Sequence, residues 1–218
     1  FIRQLIEDIS LKQNSWAPDN FAILSGAVSH LCQRFPEKKE IVLSVIWELL
    51  AHPETRVKRT VVELMKVLVP TMTTLELTSR LIPALVTLGS DSDLTVKMDT
   101  VALFGELLII LNDEATVEKI QTQLDTFVDT QPKHKMVVQL AKTFANIMPN
   151  VSQSMRDQYL LKKLLPLSKV TLDEDDSKKQ REMAEALFDA YRTLKGVNVS
   201  REAIKLAVVP GLKNIVKM

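Results

Sequence analysis

Two stretches of this chain lie over one another when one is slid along the other. LSVIWELLAHPETRVKRTVVELMKVL (43–68) matches LIPALVTLGSDSDLTVKMDTVALFGELL (81–108) at a shift of 39 residues, so that Ile46 meets Leu85, Val57 meets Val96, Lys58 meets Lys97 and Leu64 meets Leu103. Each stretch reads as a helix, a tight polar turn and a second helix. A recurrence of about 40 residues with two helices per unit constrains the fold strongly, because one such pair cannot bury its own apolar face and must stack on copies of itself. The expectation is an all-α solenoid, a right-handed superhelix of stacked antiparallel helix pairs. Such a chain works as a surface that holds partners.

The rest of the sequence fits the same unit. Apolar residues at 1, 2, 5, 6 and 9 mark a first helix, WAPDN (16–20) a turn with Asp19 or Asn20 as N-cap, and residues 21–35 a second helix. Pro36 opens the next pair. Its helices carry Val42, Val45, Ile46, Leu49 and Leu50, then Val57, Val61, Leu64, Met65 and Leu68. In the third pair the second helix has two apolar faces, 94/98/101/105/108 and 96/103/107/110, as stacking on both sides requires. In the fourth, helices at 116–127 and 136–148 place Phe144-Ala145 at a shift of 40 from Phe104-Gly105. The fifth has helices at 159–170 and 179–194, an acidic turn between them, and Gly196 as a C-terminal stop. Residues 199–218 read as a first helix without its mate. The approximate units are thus 1–35, 36–70, 73–111, 113–149, 151–196 and the half unit 199–218, one HEAT-type array. Proline recurs in LIPAL (81–85), LLPLS (164–168) and VVPGL (208–212). Inside a helix it costs about 3 kcal/mol unless a bend is wanted, so three occurrences at one place in the unit predict a built-in kink.

Composition narrows the function. Hydrophobic residues make up 46 % and charged residues 25 %, enough for a packed core and unlike a disordered chain. A net charge of +1 gives no field to recruit nucleic acid or an anionic membrane. The one cysteine, Cys32, cannot form an internal disulfide and fits a reducing, cytoplasmic setting. It reads as a small core residue, since His30 two positions away on a helix points elsewhere. No apolar run approaches the ~20 residues of a membrane span. The opening at Phe1, in mid-helix, reads as a fragment of something longer.

No constellation for bond chemistry is present, and none for a cofactor or metal. The five glycines form no phosphate loop, and the histidines at 30, 52 and 134 have no partners at metal-ligand spacing. DEDD (173–176) lacks the spacing and glycine of a calcium loop, and reads as a helix-capping turn neutralised by Lys178, Lys179 and Arg181. An enzyme is not expected. The candidate partner-binding residues are the basic turn Arg56, Lys58 and Arg59, with Lys97, Lys133 and Lys135 as its counterparts in later turns. The structural alternative for these is an inter-repeat ladder plus solvated charge. Trp16, in a turn beside Pro18, is a candidate anchor, whereas Trp47, between Ile46 and Leu49, reads as core.

The pattern Asp91, Asp93, Val96-Lys97, Phe104-Gly105 resembles HEAT repeats of the protein phosphatase 2A scaffold type, in which a turn Asp goes with a basic residue about six positions on. His52 replaces that Asp one unit earlier, which breaks the ladder there. A second likeness covers part of the chain. VKRTVVELMKVLVPTMTTLELTSRLIPALVTL (57–88) is similar to the C-terminal HEAT region of the RELCH family of LisH, coiled-coil and HEAT proteins; WAPDNFAILSGAVSHLCQRFP (16–36) is compatible with it, and the likeness fades after about Asp113. This resemblance implies a non-enzymatic cytosolic adaptor that binds a recycling-endosome Rab GTPase and an oxysterol-binding protein. It would tether recycling endosomes to the trans-Golgi network for cholesterol transfer. It assigns no individual residue. The alternative is a phosphatase-type scaffold or regulatory subunit.

Overall fold

A computed structural model describes residues 2–11, 18–130, 132–170 and 176–218. Trp16 and residues 173–175 of the acidic turn lie outside the described residues. Among the described residues every regular element is helical. The chain divides into two compact units, Phe1–Leu103 and Phe104–Met218.

The first unit begins with α1 (Ile2–Leu11) and α2 (Pro18–Arg34), followed by α3 (Lys39–Leu49) and α4 (Thr55–Leu68). Helix α2 starts at Pro18, so Asp19 and Asn20 fall within its first turn. Next comes α5, which runs through Thr74–Glu76, Leu77–Leu81 and Ile82–Gly89. Then α6 (Leu94–Ile110) contributes residues to both units. The second unit continues with α7 (Glu114–Asp129) and α8 (His134–Ile147). It ends with α9 (Met155–Leu160 and Leu161–Leu167), α10 (Ser177–Arg192) and α11 (Arg201–Ala203, Ile204–Val208 and Val209–Ile215). The fifth pair's first helix thus starts near Met155, a turn before the expected 159.

Capping residues mark several helix starts. Thr73 forms a capping box with Glu76, Asp113 accepts the Thr116 N–H, Ser152 accepts the Met155 N–H and Ser200 accepts the Ala203 N–H. These starts at 73, 113, 152 and 200 are 40, 39 and 48 residues apart. Each side-chain oxygen takes one of the amides that a helix start leaves unpaired.

Three of these helices contain a π-helical segment: Leu77–Leu81 in α5, Met155–Leu160 in α9 and Ile204–Val208 in α11. The wide turn inserts a residue, so two successive side chains can face the core. Leu81 with Ile82, and Leu160 with Leu161, are each at most 2 % exposed. Pro83 and Pro210 stand two residues beyond their π segments, where a wide turn accommodates the missing N–H. The expected third proline is different: Pro166 lies six residues beyond its π segment, within Leu161–Leu167, and Lys162 holds the equivalent place. The recurring feature is therefore the π segment, and proline accompanies it in two of three cases.

The cores are aliphatic. In the first unit Ile6, Val42, Ile46, Val57, Val61, Leu64, Leu68 and Leu85 are fully buried. In the second, Phe104, Leu107, Ile120, Leu140, Phe144, Leu161 and Leu187 are fully buried. Helix α6 is buried on two faces as expected, although Leu94 and Ile110 at its ends are exposed. Gly105 is where α6 meets α8, since a Cβ there would strike Thr143 Cγ2 and Ile147. Gly196 has φ 88°, the left-handed conformation expected of a stop glycine, one turn past the end of α10.

Candidate partner-binding surface

The basic turn is built from two successive polar turns of the first unit. In 52–54 the His52 Nδ1 accepts the Glu54 N–H at 3.0 Å, and in 91–93 the Asp91 Oδ1 accepts the Asp93 N–H at 2.8 Å. The histidine therefore does the local work of the aspartate one unit earlier. Asp93 accepts the Thr95 N–H at 2.7 Å and starts α6. The remaining oxygens of these acids face the preceding turn. Lys58 Nζ lies 2.6 Å from Asp91 Oδ2, Arg59 Nε 2.6 Å from Asp99 Oδ2, and the Thr55 hydroxyl 3.2 Å from Asp93 Oδ2.

Burial alone would raise the Asp91 carboxyl; the Lys58 ammonium and the Asp93 N–H outweigh it and hold the group below the usual carboxylate range. The hydroxyl of Thr95 does most to lower Asp93. Lys58 and Arg59 are thus committed to ties from α4 to the next polar turn and to α6, while Arg56 projects into solvent. Lys97, half-buried, stands where Lys58 stands one unit earlier. Its expected pairing with Asp91 is replaced by the Lys58–Asp91 pair, which runs between units.

A second tie joins the first helices. Lys39 Nζ is 2.6 Å from Glu76 Oε1, and Arg80 Nη1 donates to both Glu40 oxygens at 2.7 and 3.0 Å. For Glu76, burial opposes ionisation, but Lys39 and the Thr73 amide and hydroxyl bring its pKa down to about 2.

In the second unit Lys133 and Lys135 are both exposed at the start of α8. Lysine has no acceptor, so Lys133 caps nothing with its side chain. Asp176 holds the N-cap position of α10, yet its carboxylate pairs with Lys179 Nζ at 2.8 Å and caps no amide. Trp47 is half-buried, not fully in the core. Cys32 is 3 % exposed, and burial pushes its thiol up against the lowering effect of Lys39.

Two further features were not expected from the sequence. Arg156, 5 % exposed, donates to the carbonyls of Met148, Val151 and Asn198 at 2.7, 2.9 and 2.7 Å. Beside it, the Asp157 Oδ2 accepts the Ser200 N–H at 2.9 Å. Together they fasten the segment before α11 onto α9. The charge sign of residues 156 and 157 gave no hint, because a fork donor satisfying three carbonyls is visible only in three dimensions. The second feature is a groove of about 730 Å³ between α9 and α11, lined among others by Gln153, Asp157, Lys162, Leu165, Ser200 and Leu206. Its polar groups can hydrogen-bond a polypeptide segment; Ser200 is already engaged as a cap. Among the described residues there is no group of three His, Cys, Asp or Glu side chains able to hold a metal ion, and no helix long and apolar enough to cross a membrane.

Helices with capped starts, tied by ion pairs such as Lys58–Asp91 and Arg59–Asp99, place the described residues in the all-helical class. The chain belongs to the family described as the RAB11-binding protein RELCH C-terminal domain, whose model matches residues 1–218. It is 29 % identical over 181 residues to the RAB11-binding protein RELCH homolog of Xenopus tropicalis, covering 82 % of this chain. It is 27 % identical over 181 residues to the human RAB11-binding protein RELCH. The chain spans 15 % of the length of these curated relatives. No solved structure matches it.

Proposed function

We propose that this chain is a non-enzymatic HEAT-type scaffold, one continuous array of five helix pairs and a half, that binds a RAB11-class GTPase in a membrane-traffic adaptor. Family membership over residues 1–218 carries this reading, because the relatives are named for RAB11 binding. The polar ties support the stacked array, since they join residues about one repeat apart: Arg59 and Asp99 at a separation of 40, Arg80 and Glu40 at 40, and Tyr159 and Gln121 at 38. The finer expectations of the resemblance stand as part of the proposal: an oxysterol-binding protein as second partner, cholesterol transfer, and peripheral attachment to recycling endosomes and the trans-Golgi network.

Partner contact falls to exposed cations, Arg56 in the first unit and Lys133 and Lys135 in the second, while Lys58 and Arg59 maintain the turn. The test is a pull-down of this chain with RAB11 loaded with a GTP analogue or with GDP. Preference for the GTP form is expected, because nucleotide orders the switch loops that a partner reads. Equal capture in both states, or none, would overturn the reading. A phosphatase-type scaffold would instead hold a catalytic subunit regardless of nucleotide.

A further inference from the structure

Two places on α5 and on α9 hold bridges to the helix two before them in the chain. Counted from the caps Thr73, Ser152 and Ser200, residues 76 and 80 of α5 correspond to 155 and 159 of α9 and to 203 and 207 of α11. In α5, Glu76 meets Lys39 of α3 at 2.6 Å and Arg80 donates to Glu40 at 2.7 Å. In α9, the Gln121 side-chain amide of α7 donates to Met155 Sδ at 3.1 Å, and the Tyr159 hydroxyl donates to Asp125 Oδ1 at 2.9 Å. In α11 the same two places hold Ala203 and Ala207, too short to reach across. Helix α11 is fastened to α9 near its two ends, by the Ser200 N–H on Asp157 at 2.9 Å and by Asn214 on Ser168 at 3.1 Å. Between these ties the groove of about 730 Å³ opens, with Ala203 and Ala207 in its lining.

Both walls of the groove lie within the chain, and its outward side stays open on a helix flanked from both directions. Leu206 corresponds to Gln158 of α9, which is exposed although α9 is tied to α7 through Tyr159 and to α11 through Asp157. It also corresponds to the exposed Ser79 of α5. Both counterparts are polar, whereas Leu206 lines the groove and is 59 % exposed. The groove thus combines missing bridges with an added apolar rim, within the ~300–1,000 Å³ of sites that enclose a ligand.

We propose that this groove binds a polypeptide segment of a partner that inserts a tyrosine between α9 and α11. Tyrosine has the shape and chemistry that the empty places lack. Its ring would lie over Ala203, Ala207, Leu165 and Leu206, and its hydroxyl would meet the polar groups of Gln153, Asp157 and Gln158, as Tyr159 meets Asp125 of α7. Charge argues for a peptide carrying both signs. Lys162 on the α9 wall and Glu202 on the α11 wall have no partner among the described residues. A polyanion such as nucleic acid or an anionic membrane would meet Asp157 and Glu202. The proposal does not rest on the RAB11 reading, and its assay contains no GTPase, so failure of one leaves the other standing.

The probe is a short fluorescein-labelled peptide with a central tyrosine beside a leucine, one glutamate and one arginine, tested with a twin in which alanine replaces the tyrosine. Anisotropy should show saturable binding to this chain, weakened by salt and about tenfold weaker for the twin. Ala207→Tyr should fill the groove from within, as Tyr159 fills the matching place on α9, and abolish binding with an unchanged circular dichroism spectrum. Leu206→Gln restores the residue of α9 at an exposed place and should weaken binding about tenfold; it carries the test alone if Ala207→Tyr does not fold. Absence of binding, equal binding of the twin, or binding that a folded Ala207→Tyr and Leu206→Gln both leave unchanged would overturn the proposal. So would a dimer in sedimentation that Leu206→Gln dissolves, since a second copy would then be the occupant, or co-sedimentation with phosphatidylserine vesicles without peptide binding.

Discussion

At the scale of single residues the acids of the turns have two jobs each, and this decides what the cations beside them can do. Asp91 closes its own turn through the Asp93 N–H and answers Lys58 from the turn before. Removing it with Asp91→Ala leaves a partly buried ammonium and an amide unpaired, so a loss of about 1–2 kcal/mol is expected, read as a lower urea midpoint. Asp91→His should recover part of that loss, because His52 makes the same turn bond one unit earlier. If the histidine variant is no better than alanine, the equivalence of the two turns is wrong. For the same reason Arg56→Glu is the cleaner probe of partner contact: reversal at Lys58 would also set two carboxylates together and confuse binding with folding. Glu76 supplies a pH signature. Its folded pKa of about 2 lies below the ordinary 4.5, so the unfolded chain binds the proton more readily. The stabilisation is complete above about pH 4.5 and is lost as pH falls towards 2, and its size is of order 1–3 kcal/mol. Glu76→Gln should flatten the acid limb of stability against pH; an acid limb identical to the parent's would refute this.

At the scale of elements, the helices were legible because they follow from periodicity and turn chemistry. The shift of 39 that aligned Lys58 with Lys97 also aligns His52 with Asp91, and both pairs occupy matching places in the structure. What could not be read was anything set by packing across helices. The sequence offered three prolines as the cause of the kinks, but α9 widens without one at the matching place, so the signal lay in adjacent buried pairs such as Leu160-Leu161. The basic turn allowed both a ridge and a ladder, and the acids that reach Lys58 and Arg59 from 33 and 40 residues away favour the ladder. Trp16 was proposed on its turn and lies outside the described residues. Arg156 was invisible for a related reason: its partners are carbonyls, which every residue has. Its role gives a prediction for α9 and α11. Arg156→Met strands three acceptors, at a cost of about 3 kcal/mol, and Arg156→Lys should rescue little, since an ammonium cannot span the fork. Hydrogen exchange should then quicken first in Arg201–Ile215, which Arg156 fastens through Asn198. Uniform quickening across the second unit would argue against that local role.

At the scale of the whole molecule the proposed array makes stability a sum of layers and not the property of one core. Each layer is tied to the next by a few polar contacts, such as Lys163 to Asp125 and Asn214 to Ser168 in the second unit, on top of aliphatic packing. Stability in such a chain is approximately the sum of the repeats and their nearest-neighbour interfaces, so a layer with less buried apolar surface opens more easily. In the second unit α11 is the layer with uncovered apolar positions, whereas eight residues of α8 are buried. Exchange protection should therefore be graded, highest in His134–Ile147 and lowest in Arg201–Ile215. Urea unfolding followed by circular dichroism should be broad, with a slope below that of a single cooperative domain of 218 residues. One sharp transition, with calorimetric and van't Hoff enthalpies equal and protection uniform along the chain, would mean that the helices form cooperative cores and not stacked layers, and the scaffold reading would lose its physical basis.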